Sequence, residues 1–185
     1  MKKENIGTIA SVEIPRDFVA TGPAGATPTG VAWEMVFANR IHNDIEIVFK
    51  YRGVPINEAA RKVLNYLLHK QERDNLELEE LLALHTVLGV ATVGDNQFTN
   101  SNPPGSLEGP RFHLDRIGVR KVHDKFVLSV EGKFSNNHAY RGIYYPAGAE
   151  GRVMEELFLE VPGKYQAAPY IDEFESLLGS IKWRR

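Results

Sequence analysis

An α+β fold, an antiparallel sheet of about six or seven strands packed with helices, is what this chain of 185 residues predicts. Two observations carry that reading. Apolar and polar residues alternate with the two-residue period of a half-buried strand, both before and after a central block whose period is helical. The strands on either side of the block are joined by hairpin-length links, which make antiparallel neighbours, whereas parallel strands need long crossovers. The element order reads β-β-β-α-α-β-β-β-β-α, as a single α+β domain over 1–185 with long loops at 20–30 and 93–110.

The first strand covers 6–14, with Ile6, Ile9, Val12 and Ile14 among small and polar residues, and Pro15 ends it. The Gly, Pro, Ala and Thr of 20–30 then make a loop. Trp33, Met35 and Phe37 alternate with Glu34 and Val36, and Ile45, Ile47, Phe49 and Tyr51 alternate with Glu46, Val48 and Lys50. These are two half-buried strands joined through the turn chemistry of Asn39–Asp44. After Pro55 the period becomes helical. Asn57 is placed to cap a helix bearing Ala60, Val63, Leu64 and Leu67, and a second helix carries Leu78, Leu81, Leu82, His85 and Leu88, ended by Gly89.

Strand signals return at Phe112. His123-Asp124 lies between two alternating runs, where a tight hairpin turn belongs. Tyr140–Tyr145 and Arg152–Val161 form a further hairpin, and the glycines of its turn, Gly148 and Gly151, can take positive φ. On its second strand Val153, Leu157, Leu159 and Val161 share a face that only Glu155 interrupts. Pro169 opens a closing helix as its N1 residue, Asp172 and Glu173 follow in the first turn, and Ile171, Phe174, Leu177, Leu178 and Ile181 form the apolar stripe. Gly179-Ser180 ends it.

Composition removes several function classes. With 43% apolar residues the chain can build a substantial core. Its 22 Lys and Arg against 24 Asp and Glu leave a net charge of −2, with no basic excess for binding nucleic acid. The short basic runs Arg116–Lys121 and Lys182–Arg185 do not alter that. There is no cysteine, which excludes disulfides, thiolate metal sites and a cysteine nucleophile. No apolar run approaches the roughly 18 residues of a membrane span. The N-terminal residues lack the apolar core of a signal peptide, so a complete chain would be cytoplasmic, and one trimmed of a leader periplasmic or lumenal.

Catalytic motifs are missing as well. Neither GxxxxGK[ST] nor GxGxxG occurs, and neither a GxSxG elbow nor HExxH does. The sequence therefore names no catalytic residue, no cofactor and no metal ligand. The best ligand-binding candidates are His138, Tyr140, Arg141 and Tyr144, whose imidazole, phenols and guanidinium could surround a small pocket and shuttle a proton. Against this stands a strand whose rings simply pack, with Tyr140 and Tyr144 on one face and Arg141, Ile143 and Tyr145 on the other. His42-Asn-Asp44 and His113-Leu-Asp115 each set an imidazole near a carboxylate, as an N/O metal site would, but such pairs also arise in turns and ion pairs.

The C-terminal third adds a family likeness. Tyr140–Ala147, then Val153–Pro162, then Phe174–Trp183 ending in Leu178-Gly-Ser-Ile-Lys-Trp183 resemble the close of the PsbP/Mog1/DcrB-like superfamily. There two late strands lead into a final helix with a hydrophobic-x-Ser-hydrophobic-x-aromatic ending. The opening Val12–Phe18 is similar to the start of the same group. The resemblance implies an antiparallel sheet between helices and mostly non-enzymatic roles, as accessory subunits, transport partners and chaperones. It carries no shared catalytic residue. The expected function is thus a non-catalytic adaptor or accessory domain with a protein partner. A small-molecule-binding protein or enzyme using residues 138–145 is the alternative. Neither a nucleic acid nor a membrane span belongs to either reading, and the oligomeric state is open.

Overall fold

The computed structural model describes residues 1–21, 33–69, 71–88, 112–148 and 151–184. Among these residues ten strands and three helices follow in the order β1 (Lys2–Ile6), β2 (Ile9–Glu13), β3 (Phe18–Thr21), β4 (Trp33–Asn39), β5 (Glu46–Pro55), α1 (Glu58–Leu68), α2 (Leu78–Leu88), β6 (Phe112–Val122), β7 (Lys125–Phe134), β8 (Ala139–Ala147), β9 (Val153–Val161), α3 (Ala168–Leu178) and β10 (Lys182–Trp183). Seven of the strands form one sheet in the order β3-β4-β5-β9-β8-β7-β6, with every neighbouring pair antiparallel. A second, three-stranded sheet has the order β1-β2-β10. The architecture is α+β, as expected, with the seven-stranded sheet at its centre.

Local chemistry explains the hairpins. His123 takes φ 57 at the β6–β7 turn, and Gly148 and Gly151 take φ 70 and 65 between β8 and β9. Asn137, at φ 65, closes the β7–β8 turn, where the Phe134 N–H donates to the His138 carbonyl at 2.9 Å. The pairing of β5 with β9 joins the N-terminal strands to the C-terminal meander across the helical insert.

Two cores lie on opposite faces of the large sheet. On one face Ala60, Leu64 and Leu67 of α1 and Leu84 of α2 meet Ile117, Val119, Leu128 and Val130 of β6 and β7. On the other, Phe174, Leu177 and Leu178 of α3 join Ile6, Ile9 and Val12 of the small sheet over Ile47, Phe49, Ile143 and Leu157. The layers are therefore helices, sheet, and a third layer of α3 with the small sheet.

The structure corrects several boundaries. The expected strand over 6–14 is a hairpin, because Asn5 (φ 61) and Gly7 (φ 52) turn the chain back on itself between β1 and β2. β3 and β10 join the expected set, and β3 enters the start of the segment read as the 20–30 loop. Asn57 caps α1 by accepting from the Ala60 N–H at 2.8 Å, as its position suggested. Among the described side chains of α2, Leu84 is buried and Leu81 half-buried, whereas Leu78 and Leu82 point to solvent at 56% and 55% exposure, and the side chains of His85 and Leu88 lie outside the described set. With leucines on both sides of that helix, periodicity alone does not choose the buried one. α3 begins at Ala168, so Pro169 is its second residue and Asp172 and Glu173 fall beyond the first turn. Gly89 and the 93–110 loop lie outside the described residues, as does most of 20–30.

Candidate functional site

The four residues singled out in the sequence lie on or next to β8, and the pleat separates them. Side chains on a strand alternate between faces, so Tyr140 and Tyr144 turn toward α1 and α2 while Arg141 turns toward α3. Tyr140 stacks on Phe158 with ring centroids 5.1 Å apart and meets Phe112 and Phe134 edge-on. Its hydroxyl lies 3.0 Å from that of Tyr144, and both residues are buried. The ring fits because Gly142 lies beneath it, where a Cβ would crowd the Tyr140 ring and Phe158. His138 sits at the end of the strand with its Nδ1 2.8 Å from Glu160 Oε1. The four therefore do not line one pocket around 138–145. The sheet itself lies between the tyrosine pair and Arg141.

Arg141 belongs to a different constellation. In the sheet register Arg116 of β6 pairs with Glu131 of β7, and Glu131 pairs with Arg141 of β8. These three stand side by side on the α3 face in one cross-strand row. Arg116 donates from Nε to Glu131 Oε1 at 3.0 Å and also from Nη2, and Arg141 Nη1 pairs with the same oxygen. Glu175 of α3 reaches down to the row, 2.8 Å from Arg120 Nη1 and 4.0 Å from Arg141 Nη1. The result is a chain of alternating charge, Arg116–Glu131–Arg141–Glu175–Arg120. The Glu131 carboxylate beside Arg116 holds that guanidinium's pKa above its ordinary value.

The chain floors a cleft of about 410 Å³. One wall is α3, through Ile171, Asp172 and Glu175. The other is the connection between α1 and α2, which runs along the β6 edge of the sheet. There Arg73 and Val119 exchange backbone hydrogen bonds at 2.9 and 2.8 Å, and the Leu76 N–H donates to Ile117 at 2.9 Å. Gly118 makes this approach possible, since a Cβ on it would collide with the backbone of Arg73 and Asp74. Arg73 turns its guanidinium to Glu80 at 2.7 Å.

A second carboxylate on the same face is used differently. Glu155 of β9, the residue that interrupts an apolar face in the sequence, is 6% exposed. Its Oε2 accepts from the Thr8 N–H at 2.8 Å and from Thr8 Oγ1 at 2.5 Å, and Gly7 packs so closely that a Cβ would strike the carboxylate. Beside it Tyr145 is fully buried, and its hydroxyl has no partner among the described residues. Burial pushes that phenol's pKa well up. Lys125 lies over the rings of Tyr145 and Trp183, 5.3 and 4.7 Å from their centroids, and donates to the Pro146 carbonyl at 2.9 Å. Desolvation lowers its pKa.

Neither His-x-Asp pair is built as a metal centre among the described residues. His42 packs against Tyr165 with centroids 4.3 Å apart, while Asp44 pairs with Lys164 at 2.5 Å. In the other pair a register shift between Leu114 and Arg116 sets Asp115 at a bulge, and the Arg116 that follows goes to Glu131 and Asp74 rather than to Asp115. No group of three or more His, Asp or Glu side chains among the described residues is placed to hold a metal ion.

Comparison with protein-family models, with curated proteins and with solved structures gives no match to this chain. The functional reading therefore stands on the geometry. Sequence reasoning found Arg141 but missed its row. The available signal was Arg116-x-Gly118-x-Arg120 at strand spacing, which puts two arginines and a glycine on one face of β6.

Proposed function

We propose that the protein is a non-catalytic binding domain for another protein, with the cleft on β6, β7 and β8 as its docking surface. One observation carries this reading: three arginines and two glutamates form an ordered ionic chain that remains accessible in an open cleft of about 410 Å³. Arginine networks at a partly exposed surface supply planar, directional donors of the kind that recur at protein interfaces. The groups that would do acid–base chemistry are engaged elsewhere, since the Tyr140 and Tyr144 hydroxyls meet each other and His138 meets Glu160. A sheet flanked by helices also agrees with the arrangement the PsbP/Mog1/DcrB-like resemblance implies, and membership of that group is part of the proposal.

The test is comparative capture from the native host, with the immobilised protein set beside its Arg120→Glu/Arg141→Glu double variant. The expected result is a set of proteins retained by the unmodified chain and lost with the variant. Equal retention by both, or substrate turnover by the purified protein, would contradict the reading.

The volume of the cleft favours one second reading, a small-molecule site, because it lies within the range of about 300–1,000 Å³ usual for such pockets. In that case Arg141 would orient the ligand, and native mass spectrometry of the protein from its host would show a bound adduct.

A further inference from the structure

We infer that the half of the helix-bearing sheet face over β4, β5 and β9 receives a lysine- or arginine-rich segment of a partner protein, with Glu46 as the anion that meets it. This surface is separate from the cleft, which lies on the other face of the sheet.

The helical layer stops part-way across the sheet. α1 and α2 cover β6, β7 and the Tyr140–Tyr144 stretch of β8, and their core reaches β9 at Met154 and Phe158. Val36 of β4 and Val48 of β5 join neither core, although they stand in register with Phe158, Val36 opposite Val48 and Val48 opposite Phe158. Among the described residues this makes a short apolar row, with buried Val48 between half-buried Val36 and Phe158. Ionisable residues border the row, because the pleat returns side chains two positions away to the same face. On one side Glu34 stands opposite Lys50 and pairs with it at 2.9 Å, and Glu156, opposite Lys50 on β9, is buried. On the other side Glu46 stands opposite Glu160, whose Oε1 lies 2.8 Å from His138 Nδ1.

Glu46 sets the sign of this surface. Among the described residues its carboxylate makes no ion pair or hydrogen bond. Desolvation raises its pKa first, and the charges that raise it further, those of Glu160, Glu34 and Asp44, are all carboxylates. A half-buried anion among like charges costs folding stability, and such conflicts collect where a surface is used. The cationic groups beside it are already engaged, Lys50 by Glu34 and His138 by Glu160. An arriving cation therefore relieves the repulsion at Glu46 and breaks no pair, whereas an arriving anion would have to take Lys50 from Glu34. A second copy of this face would set carboxylate against carboxylate. Lysine and arginine also suit the apolar row, since their stems can lie along Val48 and Phe158 while their head groups stay beside Glu46 and Glu160.

The test uses a fluorescently tagged synthetic peptide of alternating serine and lysine, followed by anisotropy against the full chain at low salt, with an alternating serine–glutamine peptide as control. The Ser/Lys peptide should bind at least about tenfold more tightly than the Ser/Gln peptide, and Glu46→Gln should weaken it about fivefold. Glu46→Gln should also melt at a higher temperature at the same neutral pH, so that damaged folding does not mimic the loss. Asp74→Asn removes an 84% exposed carboxylate from the other face and should leave peptide binding unchanged. Equal binding of the two peptides, no weakening by Glu46→Gln, or the same weakening by Asp74→Asn would overturn the inference. Displacement of the peptide by an equal concentration of spermine would reassign the surface to a free polyamine and overturn the protein segment. A dimer in sedimentation that Glu46→Gln strengthens, with no peptide bound, would reassign it to a second copy and overturn the inference as well.

Discussion

Glu131 and Glu155 stand on the same face of the same sheet, yet their surroundings assign them opposite roles. Glu155 is held by a backbone N–H and a hydroxyl from one tight turn, and the small sheet lies over it. Those donors are fixed by the fold and have nowhere else to go. Glu131, at 20% side-chain exposure, is held by two long guanidinium side chains that can rearrange, and only solvent and the cleft walls lie above it. A carboxylate bound by backbone donors under a covering layer stabilises the fold, because removing its partner leaves a buried charge unpaired. A carboxylate bound by long, partly exposed arginine side chains at an open end adds little to stability and organises a surface. The third layer makes the difference: α3 and the small sheet cover the β5–β9–β8 part of the face and the Val122 and Val127 end of β6 and β7, and leave the Arg116–Glu131 end open to the cleft.

Substitutions in the covered region should have the largest effects on folding. Gly7→Ala adds a Cβ at φ 52 directly against the Glu155 carboxylate, so strain and overpacking combine. It should destabilise the protein by about 3 kcal/mol in chemical denaturation, with the loss centred on docking of the β1–β2 hairpin. The neighbouring Tyr145→Phe should act in the opposite direction. It deletes a buried hydroxyl that has no partner among the described residues and should raise stability by about 1 kcal/mol, seen as a higher denaturation midpoint.

A carboxylate on the other face of the sheet sharpens the contrast through pH. Glu46 lies opposite Glu160 across β5 and β9, and its pKa is raised by desolvation first and by the Glu160 charge second. Because the folded-state pKa is the higher one, Glu46 favours the folded state most below its ordinary value of 4.5. That advantage is lost as pH rises through the raised value. Glu46→Gln should therefore melt at a higher temperature than the unmodified protein near neutral pH, and the two curves should converge in acid below 4.5.

Much of this contrast was legible along the chain, and the reason for the remainder is physical. The pleat of β8 follows from strand alternation, so the separation of Tyr140 and Tyr144 from Arg141 and Tyr145 could be read from 139–147 alone. The polar interruption at Glu155 was equally visible, but its partner, Thr8, is 147 residues away, and no local pattern links them. Ile6 and Ile9 flank Gly7-Thr8 with no strong turn pair between them, so the turn between β1 and β2 reads as strand in the sequence. The ionic chain was hidden for the same reason as the Thr8 contact. Arg116, Glu131 and Arg141 are adjacent only once the β6–β7–β8 register is set, and Glu175 arrives from a separate helix.

The direct test of the division between a carboxylate that holds the fold and one that organises a surface is a paired comparison of Thr8→Ala with Arg120→Gln, each measured for unfolding free energy and for capture of proteins from the native host. Thr8→Ala should lose about 2 kcal/mol of stability while the molecules that remain folded capture those proteins as before. Arg120→Gln should stay within about 1 kcal/mol of the unmodified protein and retain about tenfold less of them. An Arg120→Gln protein that is as destabilised as Thr8→Ala and captures those proteins undiminished would contradict the account.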